Sequence, residues 1–121
     1  MYRISITENF DAAHRLIGYQ GKCANLHGHS WKVQIFVEGK ELDSRGILID
    51  FQMIKDILKN EVLNILDHND LNTIAEFSQG WNDNPTAENI AKYIYNKMED
   101  VKGLTKVRVY ESPDCWSEFW K

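Results

Sequence analysis

The chain has 121 residues, 43% of them hydrophobic and 12% aromatic, enough for one domain with a packed core at the usual domain size of about 100 to 150 residues. A formal net charge of −4 argues against nucleic acid or a membrane surface as partner, since either selects a basic face, and no apolar run approaches the roughly 20 residues of a membrane span. Two cysteines, Cys23 and Cys115, are too few for a disulfide framework, and the opening Met1-Tyr2-Arg3-Ile4-Ser5 has no apolar signal region, so a cytoplasmic protein with reduced thiols is expected.

From Tyr2 to His14 the chain alternates: Tyr2, Ile4, Ile6, Phe10, Ala12 and His14 share one parity, and Arg3, Ser5, Thr7 and Asp11 hold the other. This is the period of a half-buried strand, and it puts His14 on the apolar side provided no bulge interrupts at Glu8-Asn9. Residues Gly18 to Ala24 show no period and read as a loop bearing Cys23. A second strand is predicted over Leu26 to Glu38, where His27, His29, Trp31, Val33, Ile35 and Val37 again form one row. Gly28, between the two histidines, is read as removing a side chain where a metal or ligand comes close.

Turns at Glu38-Gly39-Lys40 and Asp43-Ser44-Arg45-Gly46 lead to Asp50, a good helix N-cap. A helix is predicted over about 51 to 66, with Ile54, Ile57, Leu58, Val62, Ile65 and Leu66 on one face. The polar cluster from Asp67 to Asn72 ends it, and Thr73 to Asn84 reads as a loop. Thr86 caps a second helix, in which Ala87, Ile90, Ala91, Ile94 and Met98 face inward and Gly103 is the expected terminator. A strand from Leu104 to Glu111 follows, with Val107, Val109 and Glu111 in one row, and Cys115 to Trp120 forms the last strand. This order predicts an α+β fold, a four-stranded antiparallel sheet with two helices packed on one face. Its long exposed edges predict a homo-oligomer.

All but one of the four histidines fall in the opening region. Three neutral imidazoles with a fourth position open make a catalytic zinc site, whereas Cys23 as a fourth ligand would close it into a structural one. Held off the ion, Cys23 would instead be a thiolate base. Beside these stands the plainer reading of ordinary strand histidines and a small buried cysteine. Asp67-His68 is either a helix-end cap favoured by the helix dipole or an acid-base pair, and adjacency does not determine which carboxylate contacts His68. Glu111 continues an apolar row as an acid, which is costly unless paired; either it faces solvent or it accepts the N–H donors of a flat heterocycle. Arg15 and Lys22 are surface charges unless a phosphorylated substrate needs a local positive field. Glu88 is most simply a first-turn acid. The four tryptophans read as core or interface anchors, and Cys115 as structural.

Phe10-x-Ala12-Ala13-His14 followed by Cys23-x-x-x-His27-Gly28-His29 resembles the 6-pyruvoyl-tetrahydropterin synthase superfamily. The three-residue gap between Cys23 and His27 resembles its 6-carboxy-5,6,7,8-tetrahydropterin synthase branch, of queuosine biosynthesis. Leu66-Asp67-His68-x-x-Leu71-Asn72, Asn84-Pro85-Thr86-x-Glu88 and Val109-Tyr110-Glu111 resemble further family blocks in the same order, so the likeness spans nearly the whole chain. The resemblance implies a tunnelling fold, with trimers closing sheets into a barrel and pairing into a hexamer whose active sites lie between subunits. It implies zinc (Zn2+) on His14, His27 and His29, Cys23 as base, Asp67 and His68 as proton relay, and Glu111 as pterin anchor with Thr86 and Glu88 nearby. Lys22 and Arg15, by their places beside Cys23 and His14 rather than by the resemblance, are the basic residues expected near the phosphates. The implied reaction converts 7,8-dihydroneopterin triphosphate to 6-carboxy-5,6,7,8-tetrahydropterin with loss of acetaldehyde and triphosphate. Ser112 stands where the family usually has threonine, Ala87 where it has serine or threonine, and the tail after Pro113 matches poorly. Two rivals stand beside this reading. One is a 6-pyruvoyl-tetrahydropterin synthase, which eliminates triphosphate without losing acetaldehyde; the other is a non-catalytic zinc-stabilised binding module with Cys23 as fourth ligand.

Overall fold

The structure, a computed structural model, describes every residue from Met1 to Lys121. β1 (Tyr2–His14) and β2 (His27–Gly39) pair antiparallel in unbroken register, so nothing interrupts the alternation at Glu8-Asn9. Ile6, Phe10, Ala12 and His14 of β1 and Trp31, Val33, Ile35 and Val37 of β2 are accordingly buried on one face. β3 (Asn69–Asp70) runs parallel to β1 beside Ala12 and Ala13. β4 (Leu104–Ser112) pairs with β2, and β5 (Cys115–Trp120) pairs with β4. The sheet therefore has five strands in the order β3-β1-β2-β4-β5 rather than the four predicted, because a two-residue strand carries no period to read.

α1 (Phe51–Leu58) starts at Asp50, whose carboxylate accepts from Gln52 N at 2.8 Å. It runs into a π-helical turn at Lys59–Leu63 and ends in α2 (Asn64–Leu66), so the predicted single helix is continuous in path but changes its winding. The wider turn keeps Leu58, Val62 and Leu66, spaced four apart, all fully buried. α3 (Ala87–Lys97) is capped by Thr86 Oγ1, which accepts from Asn89 N at 3.1 Å. It stops at Lys97, not at Gly103. Gly103, at φ +83°, belongs to the approach to β4: its carbonyl accepts from Glu38 N at 2.9 Å, and a Cβ there would overlap the Glu38 carbonyl. The segment read as a loop before α3 contains 3₁₀ turns at Ala75–Phe77 and Trp81–Asp83, and the first buries Phe77.

One continuous core lies between the helices and the sheet. Trp31 enters it, stacked on Phe10 at 6.0 Å and donating its indole N–H to Ala12 O at 3.1 Å; truncating such a buried aromatic costs about 3 to 5 kcal/mol. Trp81, Trp116 and Trp120 are exposed instead, as is Cys115, which serves no buried structural role. The helix-free face is polar. There Glu118 pairs with Arg108 at 2.7 Å and Lys106 at 3.0 Å, and Arg108 lies 4.0 Å over the Trp116 ring. No helix is long and apolar enough to cross a membrane.

Candidate metal centre and active site

His14 faces His27 directly across the β1–β2 ladder, and Ala12 faces His29. Cross-strand pairing sets the first two rings side by side, and the small Ala12 leaves room for the third. The ring centroids lie 4.6 Å (His14–His27), 5.2 Å (His14–His29) and 4.8 Å (His27–His29) apart, with Trp31 forming the inner wall 4.9 Å from His14. Two backbone carbonyls choose the tautomers: His14 Nδ1 donates to Pro85 O at 2.7 Å, and His27 Nδ1 donates to Asn25 O at 2.7 Å. Both Nε2 atoms are thereby left with lone pairs, the arrangement seen when metal-binding histidines are oriented through their other nitrogen. His14 is 1% exposed, and its Nε2, like that of His29, is buried without a hydrogen-bond partner.

Burial pushes both His14 and His29 below the ordinary histidine value of 6.5. In His14 this outweighs the Pro85 carbonyl and Glu111, and in His29 it outweighs Glu111, which favour the charged ring. Neutral, converging and unpartnered nitrogens are the donor set a divalent metal requires. The ligand atoms of His14, His27, His29 and Glu111 all lie within 4.8 Å of one another; Cys23 is not in that group. Cys23 sits half-buried in a 3₁₀ turn, Lys22–Ala24, and its carbonyl accepts from Leu16 N at 2.8 Å.

Glu111 reaches the histidines from β4, where the register against β5 slips between Tyr110 and Ser112, a bulge of the kind that re-aims a side chain. Its Oε1 lies 3.0 Å from His29 Nε2 and 3.6 Å from His14 Nε2. Gly28 plays no part in making room here. Alternation turns it to the opposite face from the histidines, and a Cβ on it would meet only Ala12 O at 4.0 Å.

Asp67 and His68 form a second group with Asp11. His68 adopts φ +57°, in the left-handed region uncommon for a residue with a side chain, and its Nδ1 lies 3.0 Å from Asp67 Oδ1. The adjacent carboxylate is thus the one His68 contacts. Asp67 Oδ1 also accepts from Asp11 N at 3.0 Å, and His68 N donates to Asp11 O at 2.6 Å, so the pair is fastened to the outer edge of β1. The Asp11 N–H first, and then His68, hold the Asp67 carboxyl below its ordinary range. The His68 side chain is 79% exposed. It borders an open hollow of about 520 Å³ that extends past Asp11 to Gly28, His29 and Ser30.

Of the other predicted residues, Thr86 commits its hydroxyl to the α3 cap, Glu88 is exposed in the first turn of α3, and Arg15 and Lys22 are exposed. Sequence reasoning missed two asparagines that hold the segment after His14. Asn84, buried, accepts from Ile17 N at 2.9 Å and donates to Ile17 O at 2.8 Å; Asn72 does the same to Arg15 at 2.9 and 3.0 Å. Each amide replaces a strand neighbour. Both asparagines lie in sequence blocks noted above, but an amide's distant partner leaves no local signal.

The sequence profile of the 6-pyruvoyl tetrahydropterin synthase family matches residues 3–121. The chain is 35% identical to the 6-carboxy-5,6,7,8-tetrahydropterin synthase of Rickettsia bellii, over 90% of this chain and 93% of that protein. It is 39% identical to the protein of the same name from Synechocystis sp., over 86% of this chain and 81% of that one. Among solved structures, Caenorhabditis elegans 6-pyruvoyl tetrahydropterin synthase matches with a TM-score of 0.86 at 26% identity, covering 99% of this chain and 95% of its own.

Proposed function

The chain belongs to the 6-pyruvoyl tetrahydropterin synthase family and has its α+β tunnelling fold, and we propose that it is a zinc-dependent lyase of queuosine biosynthesis. In this reading residues 1–121 act as one domain that converts 7,8-dihydroneopterin triphosphate to 6-carboxy-5,6,7,8-tetrahydropterin, releasing acetaldehyde and triphosphate. The observation that carries it is the buried, unpartnered Nε2 of His14, turned toward His27 and His29 in a group that excludes Cys23. Three converging imidazoles beside an exchangeable fourth position fit catalytic zinc, which when bound supplies Lewis acidity and a template for the substrate's side-chain hydroxyls.

The chain's own residues do the rest. Cys23, free of the ligand group, takes a proton from the substrate's side chain, and His68 returns one, oriented by Asp67 through Nδ1. Glu111 accepts the N–H donors of the heterocycle, Thr86 and Glu88 flank it, and Lys22 and Arg15 meet the triphosphate. Within one chain the histidines and the Asp67-His68 pair are separate groups. In this reading the assembly is a hexamer of two trimers in which one subunit's relay completes its neighbour's metal site; the open edge of β5 and the short β3, which leave sheet margins for such assembly, support it. Both cysteines are unpaired, which suits the cytoplasm and keeps Cys23 reduced.

The three residues between Cys23 and His27, and relatives bearing the carboxy name, favour this activity over triphosphate elimination alone. A closed module with Cys23 on the metal is disfavoured because Glu111, not Cys23, joins the three histidines. Mass spectrometry after incubation with dihydroneopterin triphosphate tests the reading. Acetaldehyde with a carboxypterin is expected; a pyruvoyl pterin would assign the other activity, and no turnover by zinc-loaded protein would leave only a metal-binding module.

A further inference from the structure

Glu111 stands where a residue reserved for a heterocycle has no reason to stand. His14 Nδ1 gives its hydrogen to Pro85 O, so the Nε2 that faces Glu111 is an acceptor. The carboxylate lies 3.6 Å from that nitrogen and 3.0 Å from His29 Nε2, and neither nitrogen makes a hydrogen bond. At His14 two acceptors, the ring Nε2 and the carboxylate, are held face to face, and such a pair repels unless a cation lies between them. Glu111, with a third of its side chain exposed, has solvent to turn into and nevertheless faces the nitrogens. The spacings fit a shared ion: at tetrahedral geometry, bonds of about 2.0 to 2.2 Å place neighbouring ligand atoms about 3.3 to 3.5 Å apart, between the two separations observed. The β4 bulge at Tyr110–Ser112 supplies the aim.

We propose that Glu111 is the fourth ligand of the resting metal centre and leaves the ion for the heterocycle when substrate binds. This rests on the metal reading above and adds an exchange to it: one carboxylate closes the ion in the free enzyme and grips the ring in the complex. The fourth position then opens fully only to a molecule that offers both an oxygen donor for the ion and a paired N–H edge for the carboxylate. A ligand with either feature alone breaks the ion–carboxylate bond without replacing it, so the exchange is a specificity device.

The test loads the full chain with Co2+, whose visible absorption reports the number and type of its ligands, and compares wild type with Glu111→Gln and Glu111→Ala. In the absence of substrate the wild-type bands should differ from those of both variants. Zinc affinity, read by chelator competition, should fall by about tenfold or more in the variants, since even outer-shell losses at metal sites reach that size. Adding biopterin, which carries the ring and hydroxyls but no phosphate, should shift the wild-type bands. Identical bands and affinities in all three proteins at full occupancy would overturn the exchange alone, while a wild type that binds neither Co2+ nor zinc would overturn the metal reading with it. Where a variant does not fold, a crystal structure of the zinc-loaded wild type decides: Glu111 on the ion upholds the proposal and Glu111 off the ion overturns it.

Discussion

His14 donates its Nδ1–H to the carbonyl of Pro85, seventy-one positions away, at 2.7 Å. The neighbouring Asn84 grips both backbone groups of Ile17, at 2.9 and 2.8 Å, so the loop before α3 sets both the tautomer of the ring and the path of the strand end that bears it. Asn84→Ala should therefore do two things. Leaving the Ile17 groups unpaired should cost about 1 to 3 kcal/mol in a denaturant melt, and zinc affinity should drop about 10- to 100-fold. Lower stability with unaltered zinc affinity would break the proposed link.

Cys23→Ala should keep its zinc and lose turnover by about 10²- to 10⁴-fold, the usual contribution of a positioned acid or base. Metal analysis and product formation on the same preparation separate the roles. Loss of metal together with activity would make Cys23 a ligand.

If relay and metal site belong to different subunits, two dead proteins should repair one another. Cys23→Ala and His68→Ala, each inactive alone, are expected to recover activity when unfolded together and refolded as a mixture. No recovery in mixed particles, shown to be mixed by mass spectrometry, would place both groups in one subunit's site.

The metal-free protein should weaken as acid is added. Burial, the main cause, sets the folded values of His14 and His29 below 6.5. Between the folded and unfolded values the unfolded chain binds more protons, so this contribution is complete above 6.5 and is lost as pH falls from there through the lower folded values. Chelator-treated protein melted in denaturant at steps from about pH 8 to 5 checks the direction, and His14→Ala should flatten the slope. A midpoint that holds constant or rises on acidification would contradict it.

Alternation placed His14, His27 and His29 on buried rows correctly, because the face a residue takes along a strand depends only on backbone geometry from one position to the next. Helix caps at Asp50 and Thr86 were legible for the same reason: a cap bonds within three residues. The expectation for Gly28 went against strand alternation itself, which turns it to the face opposite the histidines that flank it. Local rules failed elsewhere: they missed the β3 edge and the π turn at Lys59–Leu63, where too few residues share a period.

By itself the sequence determined which faces are buried, where the helices begin, and which residue types are available for metal and proton chemistry. Only the tertiary structure decided that Asp67 is the carboxylate against His68, that Pro85 selects the His14 tautomer, and that Glu111 rather than Cys23 joins the three nitrogens. The reason is that convergence depends on strand register, on the Tyr110–Ser112 bulge and on loops clamped by Asn72 and Asn84. These are set by packing and hydrogen bonds between residues tens of positions apart, which no local period encodes.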